Sequence, residues 1–510
     1  MKRFLIAQVF ISGMVSLALE MCASRLLAPY FGTDQLIWAN LIGLILIYLT
    51  VGYFLGGRLA DRYPYEQVLC LITAIAAVST MLIPFVSPAI LNWSITGMAQ
   101  VSVSIFLSSL IGTILLFAVP VTLLGLVSPF AIRLVTKHID QSGRVSGSLY
   151  AISTFGSILG AFLPVLWLIP TIGVRRTMLV FGTFLLAASL WGLRPHWRPA
   201  FTFATQAASA CAITLVVLIL PLGPLKDIPH LIYEQESLYN YIQVTQHDGM
   251  RELVLNEGQA THSIYYLDSQ RVLTNAYWDY FLAAPYFNRN FKPQQLQRVG
   301  IIGLAGGTIA HEFTQVYGPV PIDGAEIDPS IVDVGHKYFG MNEPNLHIYI
   351  EDGRTFLATT HAHYDVVAID AFQQPYIPFQ LTTREFFAEI RSHLSPTGVV
   401  ALNTGHTAHD FRLVQAFVNT MSQVFPSVYV FNVPGTFNTE VMATMQPTSL
   451  DSFQSNLAQF APTTVMGQVA SEVLPVATQG HADGGIVFTD DRAPIEQITD
   501  QLLLNYIQQP

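Results

Sequence analysis

Long apolar segments crowd the first 222 residues of the chain. A helix of about 20 apolar residues spans the hydrocarbon core of a bilayer with all its backbone groups paired internally. The whole chain of 510 residues is 51% hydrophobic and only 11% charged. These features predict a multi-pass α-helical membrane domain over residues 1–222, whose seven spanning segments lie at about 4–28, 36–57, 67–91, 100–127, 147–170, 177–193 and 201–222.

Charge is divided unevenly between the two halves of the sequence. Residues 1–222 carry 12 Lys/Arg and 5 Asp/Glu, whereas residues 223–510 carry 12 and 29. A basic membrane half follows the positive-inside tendency, and a strongly acidic soluble half repels nucleic acid while favouring cationic ligands. We therefore expect the lipid bilayer as a partner and no nucleic acid.

The cysteines indicate neither disulfides nor a metal site. Cys22, Cys70 and Cys211 all lie in apolar stretches without CxxC or Cys/His spacing. Such cysteines are typical of small packing residues. No metal is therefore proposed.

The soluble half begins near residue 230, after Pro221, Pro224 and Pro229. An alternating segment at 239–244 is typical of a strand, and we assign residues 230–295 to a small N-terminal β subdomain. From Arg298 onward, short apolar runs alternate with helical stretches, which is the pattern of a doubly wound parallel sheet. Residues 296–510 are therefore predicted to form an α/β, Rossmann-like domain.

A glycine-rich turn follows the first apolar run of this domain. Gly303, Gly306 and Gly307 stand between the strand VGII and a helix, where backbone N–H groups can meet a ligand. The turn alone equally serves tight strand-to-helix packing. About twenty residues later Glu326 ends the second strand, where an acid can accept both hydroxyls of a ribose, while Asp328 is the better helix cap.

Two further aspartates end the next strands. Asp352-Gly353 follows the third strand, where the side chain can accept from an adenine amino group or simply form an Asp-Gly turn. Asp370 ends the fourth strand at the carboxyl edge of the sheet, where open α/β folds bind ligands. A carboxylate there can orient and deprotonate an amine.

These features in this order resemble the spermidine synthase family of aminopropyltransferases, over roughly residues 230–440. The whole chain looks most like bacterial membrane-fused members, which join a multi-helix N-terminal half to a class I methyltransferase-like domain. The motifs behind the resemblance are LVLNEGQ at 253–259, Tyr277, IIGLAGGTIAHE at 301–312, the EID and EDG triplets at 326–328 and 351–353, and IDAFQQPYIPFQLTTREFF at 369–387.

The resemblance implies a transfer of an aminopropyl group from decarboxylated S-adenosylmethionine to a diamine, with methylthioadenosine released and no metal required. Asp370 would be the catalytic residue. The cofactor would be held by Gly303, Gly306, Gly307, Glu326, Asp352, Gly353 and Gln259, and the polyamine substrate by Tyr277, Tyr376 and Gln373.

Three positions depart from the family pattern. Gly306 stands where the glycine turn usually carries an Asp that holds the amine of the cofactor. Gln373 replaces an acid three residues after the catalytic Asp, and Trp278 replaces a Gln beside the substrate tyrosine. Glu257, Asp279 and Asp323 are candidates to restore the lost charge.

These departures leave two alternatives open. In the first, intact S-adenosylmethionine replaces the decarboxylated form, which would give an S-adenosylmethionine-dependent enzyme of other specificity. Alternatively, the protein is a transporter or sensor with a non-catalytic nucleoside- or polyamine-binding domain. Two features suggest this alternative: a loop at 56–62 that resembles one of major facilitator transporters, and the intramembrane Glu20. About seven crossings suit transport only in a homodimer.

Topology depends on the same count of crossings. The loop at 56–62 resembles a cytoplasmic loop of major facilitator transporters and favours a cytoplasmic N-terminus in the cell (inner) membrane. Seven crossings would then place the soluble domain outside, although adenosylated cofactors are made in the cytosol. Either one segment is miscounted and the domain is cytoplasmic, or the domain is periplasmic. A C-terminal stretch, TDDRAPIE at 489–496, is read as a helix cap or as a lid on the site.

Overall fold

A computed structural model describes residues 3–31, 35–99, 105–136, 142–193, 223, 225–226, 228–256, 260–268, 270–372 and 376–508. The chain divides into a helical unit, Met1–Ile228 with Glu234–Tyr241, and an α/β unit, Pro229–Tyr233 with Ile242–Pro510. The predicted boundary near residue 230 falls at this division. Residues 234–241, however, group with the helices.

Six helices in the described part of the chain are long and apolar enough to cross a membrane. The seventh predicted segment, 201–222, lies outside the described residues. The helices are Arg3–Phe31, Gln35–Arg62, Glu66–Ala99, Ile105–Gly125 continued by Val127–Val135, Ser142–Leu163 continued by a π segment Pro164–Leu168 and by Ile169–Ile172, and Val174–Gly192.

Close helix contacts and an apolar exterior characterise the helical unit. Gly156 and Gly160 are four residues apart, and a Cβ on either would lie 2.1 or 2.0 Å from a carbonyl oxygen of the first helix. Small residues at this spacing let membrane helices approach closely. Leu46, Phe54 and Trp167 are 57%, 59% and 65% exposed, which is expected of surfaces that face lipid rather than water.

Four short strands follow the long helices in the chain and pair in the order β1-β2-β3-β4. They are β1 (Leu231–Glu236), β2 (Tyr241–His247), β3 (Met250–Leu255) and β4 (Thr261–Tyr266). The strand predicted at 239–244 thus corresponds to β2. β4 reaches the glycine turn, because the Ile264 N–H donates to Thr308 Oγ1 at 3.0 Å.

An eight-stranded sheet forms the centre of the α/β unit, in the order β12-β10-β11-β9-β8-β5-β6-β7. Its strands are β5 (Val299–Ile302), β6 (Ile322–Ala325), β7 (Leu346–Tyr349), β8 (Tyr364–Ile369), β9 (Leu394–Gly405), β10 (Ser427–Asn432), β11 (Asn438–Thr444) and β12 (Ala477–Gln479). The first five are parallel, but β10, β11 and β12 are antiparallel. The sheet is therefore mixed. The predicted parallel sheet comprises β5 to β9, and the β10–β11 hairpin with β12 adds an antiparallel edge that the sequence did not predict.

Two hydrophobic clusters cover the two faces of this sheet. Alternate residues of each strand enter opposite clusters, as the pleat requires. The packed helices are Trp278–Phe281, Thr308–Tyr317, Pro329–Tyr338, Gly353–Thr359, Arg384–His393, Arg412–Met421, Leu450–Leu457, Val465–Val473 and Ile495–Gln508. β5 lies between β6 and β8, so the chain reverses its direction of winding there, and ligands of open α/β sheets bind at such a switch point.

Candidate active site

The turn after β5 brings two strand ends together. Gly303 has φ +86°, and a Cβ on it would lie 2.5 Å from the carbonyl oxygen of Asp370. Only glycine combines this backbone conformation with such an approach. Gly303 therefore lets the turn pass directly beside the end of β8.

The next part of the turn packs against β4. The Gly306 N–H donates to Ser263 Oγ at 2.8 Å, and a Cβ on Gly306 would lie 2.9 Å from Ser263 Cβ. A Cβ on Gly307 would lie 2.7 Å from Met341 Cγ. An aspartate at position 306, as in the family pattern, would therefore have no room unless Ser263 moved. Nothing in the sequence indicated that Ser263 lies next to this turn.

Glu326 closes the turn from the end of β6. It is 7% exposed, and its two oxygens accept from the N–H groups of Ala305 at 2.9 Å and Asp328 at 3.1 Å. Ala305 has φ +48°, a left-handed conformation that is unfavourable for a residue with a Cβ, so Glu326 holds a strained turn in place. Burial raises the pKa of Glu326 to about 7, although both backbone donors lower it.

Asp328 and Asp352 each cap a helix. Asp328 accepts from the Ser330 N–H at 3.0 Å, which confirms the prediction that it is the helix cap. Asp352 Oδ1 accepts from the N–H groups of Arg354 at 3.0 Å and Thr355 at 3.3 Å, while Oδ2 meets Gln380 Nε2 at 3.4 Å. Among the described residues, only the long contact from Gln380 reaches the second oxygen of Asp352.

Asp370 lies at the carboxyl end of β8, partly buried. Its Oδ2 accepts from Tyr277 OH at 2.9 Å and Trp278 Nε1 at 3.1 Å, and its Oδ1 accepts from Asn403 Nδ2 at 3.0 Å. Two carboxylate oxygens can accept about four hydrogen bonds, so these three donors fix the group and leave room for one more on Oδ1. Burial raises the pKa of Asp370 to about 6, although Asn403, Tyr277 and Trp278 lower it.

The predicted substrate residues are only partly brought together. Tyr277 contacts Asp370, and so does Trp278, which occupies the position of a family glutamine. The Tyr376 hydroxyl instead donates to Asp500 in the C-terminal helix. Gln259 and Gln373 lie outside the described residues.

The residues considered as sources of lost charge have other partners. Asp279 is fully buried and accepts from the Thr274 N–H, Thr274 Oγ1 and the Asn275 N–H. Asp323 pairs with Arg298 Nε at 3.0 Å and accepts from Tyr364 OH. Glu257 is outside the described residues.

Sequence reasoning missed two residues on the strands that follow β8 in the sheet. Asn403 on β9 holds the Asp370 carboxylate, and Glu440 on β11 lies opposite Asn403 in the strand register. Both follow ordinary β patterns, and only the strand pairing places them near β8. The pairing of distant strands gives no local signal.

The C-terminal stretch 489–496 anchors a helix that belongs to the core. Asp490 accepts from both terminal nitrogens of Arg354 at 2.8 Å and from Thr383 Oγ1 at 2.6 Å. Phe488, Ile495 and Ile498 are buried in the second hydrophobic cluster. These contacts anchor the C-terminal stretch to the core of the α/β unit.

The α/β unit is thus a Rossmann-like domain in which polar groups from several strand ends meet at the switch point. Comparison with known proteins gives its family. The family model for the spermine/spermidine synthase domain matches residues 287–453. A probable polyamine aminopropyl transferase of Bifidobacterium longum is 31% identical over 312 residues, covering 56% of this chain and 68% of that protein.

A second relative agrees with the first. The polyamine aminopropyltransferase of Vibrio vulnificus is 32% identical over 234 residues, which cover 44% of this chain and 75% of that protein. A solved structure of a probable spermidine synthase from Corynebacterium glutamicum is 19% identical, with a TM-score of 0.42, and the match covers 52% of this chain and 98% of that one. This chain belongs to the polyamine aminopropyltransferase family, which the sequence motifs predicted.

Proposed function

We propose that the protein is a membrane-bound polyamine aminopropyltransferase that uses decarboxylated S-adenosylmethionine as donor and a polyamine as acceptor. The observation that carries this proposal is the position of Asp370. Its carboxylate is fixed by three side-chain donors, keeps one accepting position, and lies beside the glycine turn. A base is thereby held next to the place where a nucleoside would lie.

The polar groups around the glycine turn suit the nucleoside part of the donor. Glu326 is anchored by two backbone N–H groups, which leaves unused acceptor positions on its oxygens for ribose hydroxyls. Asp352 has one oxygen available for the amino group of adenine beyond its contact to Gln380. With Gly303, Gly306 and Gly307 these residues remain our candidates for the donor site.

The reaction is a displacement at carbon. An acceptor nitrogen uses its lone pair to form a bond to the aminopropyl carbon, and the bond from that carbon to sulfur breaks. The electron pair stays on sulfur, so the sulfonium becomes the neutral thioether methylthioadenosine. Asp370 takes the proton that the nitrogen loses, and the fixed positions of base and donor supply much of the acceleration.

The state of the acceptor explains the need for a base. An aliphatic amine has a pKa near 10, as lysine does, so at neutral pH it arrives as an ammonium ion without a free lone pair. Asp370 is mostly ionised above pH 6 and attracts this cation before it accepts the proton. The strong negative charge of residues 223–510 also favours cationic substrates.

We assign the helical unit to the cell membrane and the α/β unit to its cytoplasmic side. The six apolar helices support the first assignment by length and composition. The second follows from the chemistry, because the donor is a cytosolic metabolite. Cysteine labelling of exposed positions in sealed and opened vesicles tests the side.

A single experiment tests the reaction. The full chain is purified in detergent and incubated with decarboxylated or intact S-adenosylmethionine and a panel of amines, and the products are identified by mass spectrometry. We expect methylthioadenosine and an aminopropylated amine from the decarboxylated donor alone. Turnover only with the intact donor would replace the proposal by the second candidate, which is favoured by the absence of an acid at Gly306 and by the packing of Ser263 there.

A further inference from the structure

Glu440 is a buried carboxyl group without a partner. It lies within β11, is 0% exposed, and neither of its oxygens receives a hydrogen bond from the described part of the chain. Buried polar groups are nearly always paired, and an unpaired buried carboxylate is very costly. Such a group therefore needs an explanation, and a ligand that is absent from the structure is one.

The strand register places Glu440 in a row with the proposed base. Glu440 is opposite Asn403 on β9, and Asn403 donates to Asp370 at the end of β8. Side chains opposite each other in an antiparallel pair lie on one face, with Cβ atoms about 5 Å apart. Three neighbouring strands thus present Glu440, Asn403 and Asp370 side by side.

The charges around this row are all acidic or neutral. Burial raises the pKa of Glu440 well above its ordinary value, and the charge of Asp370 raises it further. Burial also keeps the pKa values of Tyr277 and Tyr280 well above neutral, so both hydroxyls stay uncharged. No lysine, arginine or histidine of the described residues forms a hydrogen bond or ion pair with either carboxyl group, so the row has no cationic partner there.

We propose that Glu440 binds the second, unreactive ammonium group of the acceptor, while Asp370 receives the nitrogen that attacks. This inference rests on the proposed function and names the residue that would select acceptors with a second cationic nitrogen. Asp370 borders the glycine turn, whereas β11 is two strands further along the sheet, about 10 Å at the usual spacing. Glu440 is therefore the more distant of the two carboxyl groups from the donor.

Glu440 also accounts for the changes elsewhere in the site. Gln373 has no charge to offer, and Asp279 and Asp323 are held by other residues. A carboxyl group supplied by β11 restores an acidic contact for the acceptor from another strand.

The test compares a diamine with a monoamine of equal length. In the full chain, Glu440→Gln keeps the shape and removes the charge, and 1,4-diaminobutane and 1-aminobutane serve as acceptors with saturating donor. We expect the variant to raise KM for the diamine about 10- to 100-fold, the loss of one charged hydrogen bond, and to leave the monoamine unchanged. Glu472→Gln, which alters a partly buried glutamate that makes none of the proposed ligand contacts, is the control and should change neither.

Two further measurements separate the possible failures. Equal losses for both amines in Glu440→Gln would overturn the proposal, because Glu440 would then act through Asp370 or the fold. If the wild type turns over no amine, the proposed function fails, and calorimetry with 1,4-diaminobutane and methylthioadenosine tests the site by itself. Weaker diamine binding to Glu440→Gln supports the site, whereas equal binding, or none to the wild type, rejects it.

A conservative variant covers the case in which Glu440→Gln does not fold. Glu440→Asp keeps the charge and withdraws it by one methylene. We expect it to shift the preferred acceptor from 1,4-diaminobutane towards 1,5-diaminopentane, with methylthioadenosine affinity unchanged as the check on folding. An unshifted preference in Glu440→Asp would also contradict the proposal.

Discussion

The two sides of the switch point use their carboxyl groups differently. On the side of β6, Glu326 is tied to the backbone by Ala305 and Asp328, so its position is set by the turn itself. On the side of β9 and β11, Asp370 is held by side chains only, and Glu440 by nothing in the described residues. The first arrangement is complete without a ligand, and the second is not.

This difference suggests how one site handles two substrates. The backbone N–H groups belong to the strand-to-helix turn itself, so they can hold Glu326 in place for the nucleoside of the donor, which is the same for every acceptor. Side chains on separate strands can be exchanged one at a time, so they define the acceptor. Substitutions on the β6 side should therefore affect donor binding and stability together, whereas those on the β8 to β11 side should affect turnover.

The largest effect is expected at Asp370. Asp370→Asn keeps the shape but removes the base, and should lower kcat about 10²-fold or more, the scale of a positioned general base. The affinity for methylthioadenosine, measured by calorimetry, should change little because Asp370 is not among the nucleoside contacts. Full activity in this variant would refute the mechanism.

Glu326→Ala tests the β6 side of the switch point, where we place the donor. It removes a proposed ribose contact and leaves the N–H groups of Ala305 and Asp328 without their acceptor. We expect methylthioadenosine affinity to fall about 10- to 100-fold, corresponding to roughly 1.5 to 3 kcal/mol, together with a lower Tm. Asp352→Ala should also weaken nucleoside binding, by less.

Asp328→Ala is the matched control for Glu326→Ala. It removes a helix cap on the same loop, worth about 1 kcal/mol of stability, without a proposed nucleoside contact. Its affinity for methylthioadenosine should therefore equal that of the wild type. Unchanged affinity in both Glu326→Ala and Asp352→Ala would remove the donor assignment.

The pH dependence of turnover sharpens the role of Asp370. A base acts only when it is ionised, and the pKa of Asp370 is raised to about 6. Below that pH, kcat/KM should fall about tenfold per unit, as the protonated fraction grows. A profile that stays flat down to pH 5 would show that Asp370 is not the base, while Asp370→Asn should lose this limb of the profile.

Local patterns were sufficient to predict much of this molecule. The parallel strands, the glycine turn and the acids at 326, 352 and 370 each follow a run of apolar residues, so their places were readable from the order of the chain. Tyr376 shows the limit, since its spacing from Asp370 suggested the acceptor site but its hydroxyl meets Asp500. Which side chains meet across separate elements depends on packing that spacing does not encode.

The residues that were missed share one property. Ser263, Asn403 and Glu440 reach the site through strand pairing or through packing of β4 on the glycine turn, with sequence separations of 33 or more from their partners. Each is also a common residue in an ordinary strand. A motif that needs a partner far along the chain cannot be recognised until the register of the sheet is known.

The smallest expected effect concerns Asp490, which links the C-terminal stretch to Arg354, two residues after Asp352. Asp490→Asn removes the charge but retains an oxygen for Thr383. Asp490 and Arg354 are 42% and 23% exposed at their side chains, and Glu389 also pairs with Arg354, so we expect a loss of no more than about 1 kcal/mol in the free energy of unfolding. Asp491→Asn, which alters the exposed neighbour, is the matched control and should have no effect.

The pH dependence of that loss has a defined sign. The hydrogen bonds from Arg354 hold the pKa of Asp490 below its ordinary value, so the folded state favours the ionised form. The stabilisation is present above the ordinary pKa of aspartate, about 4, and disappears as the pH falls through the lower pKa of the folded state. Wild type and Asp490→Asn should therefore differ in denaturant unfolding at pH 7 and converge in strong acid. If Asp490→Asn instead raises KM for the donor at unchanged stability, the C-terminal stretch is a lid and the anchor interpretation is wrong.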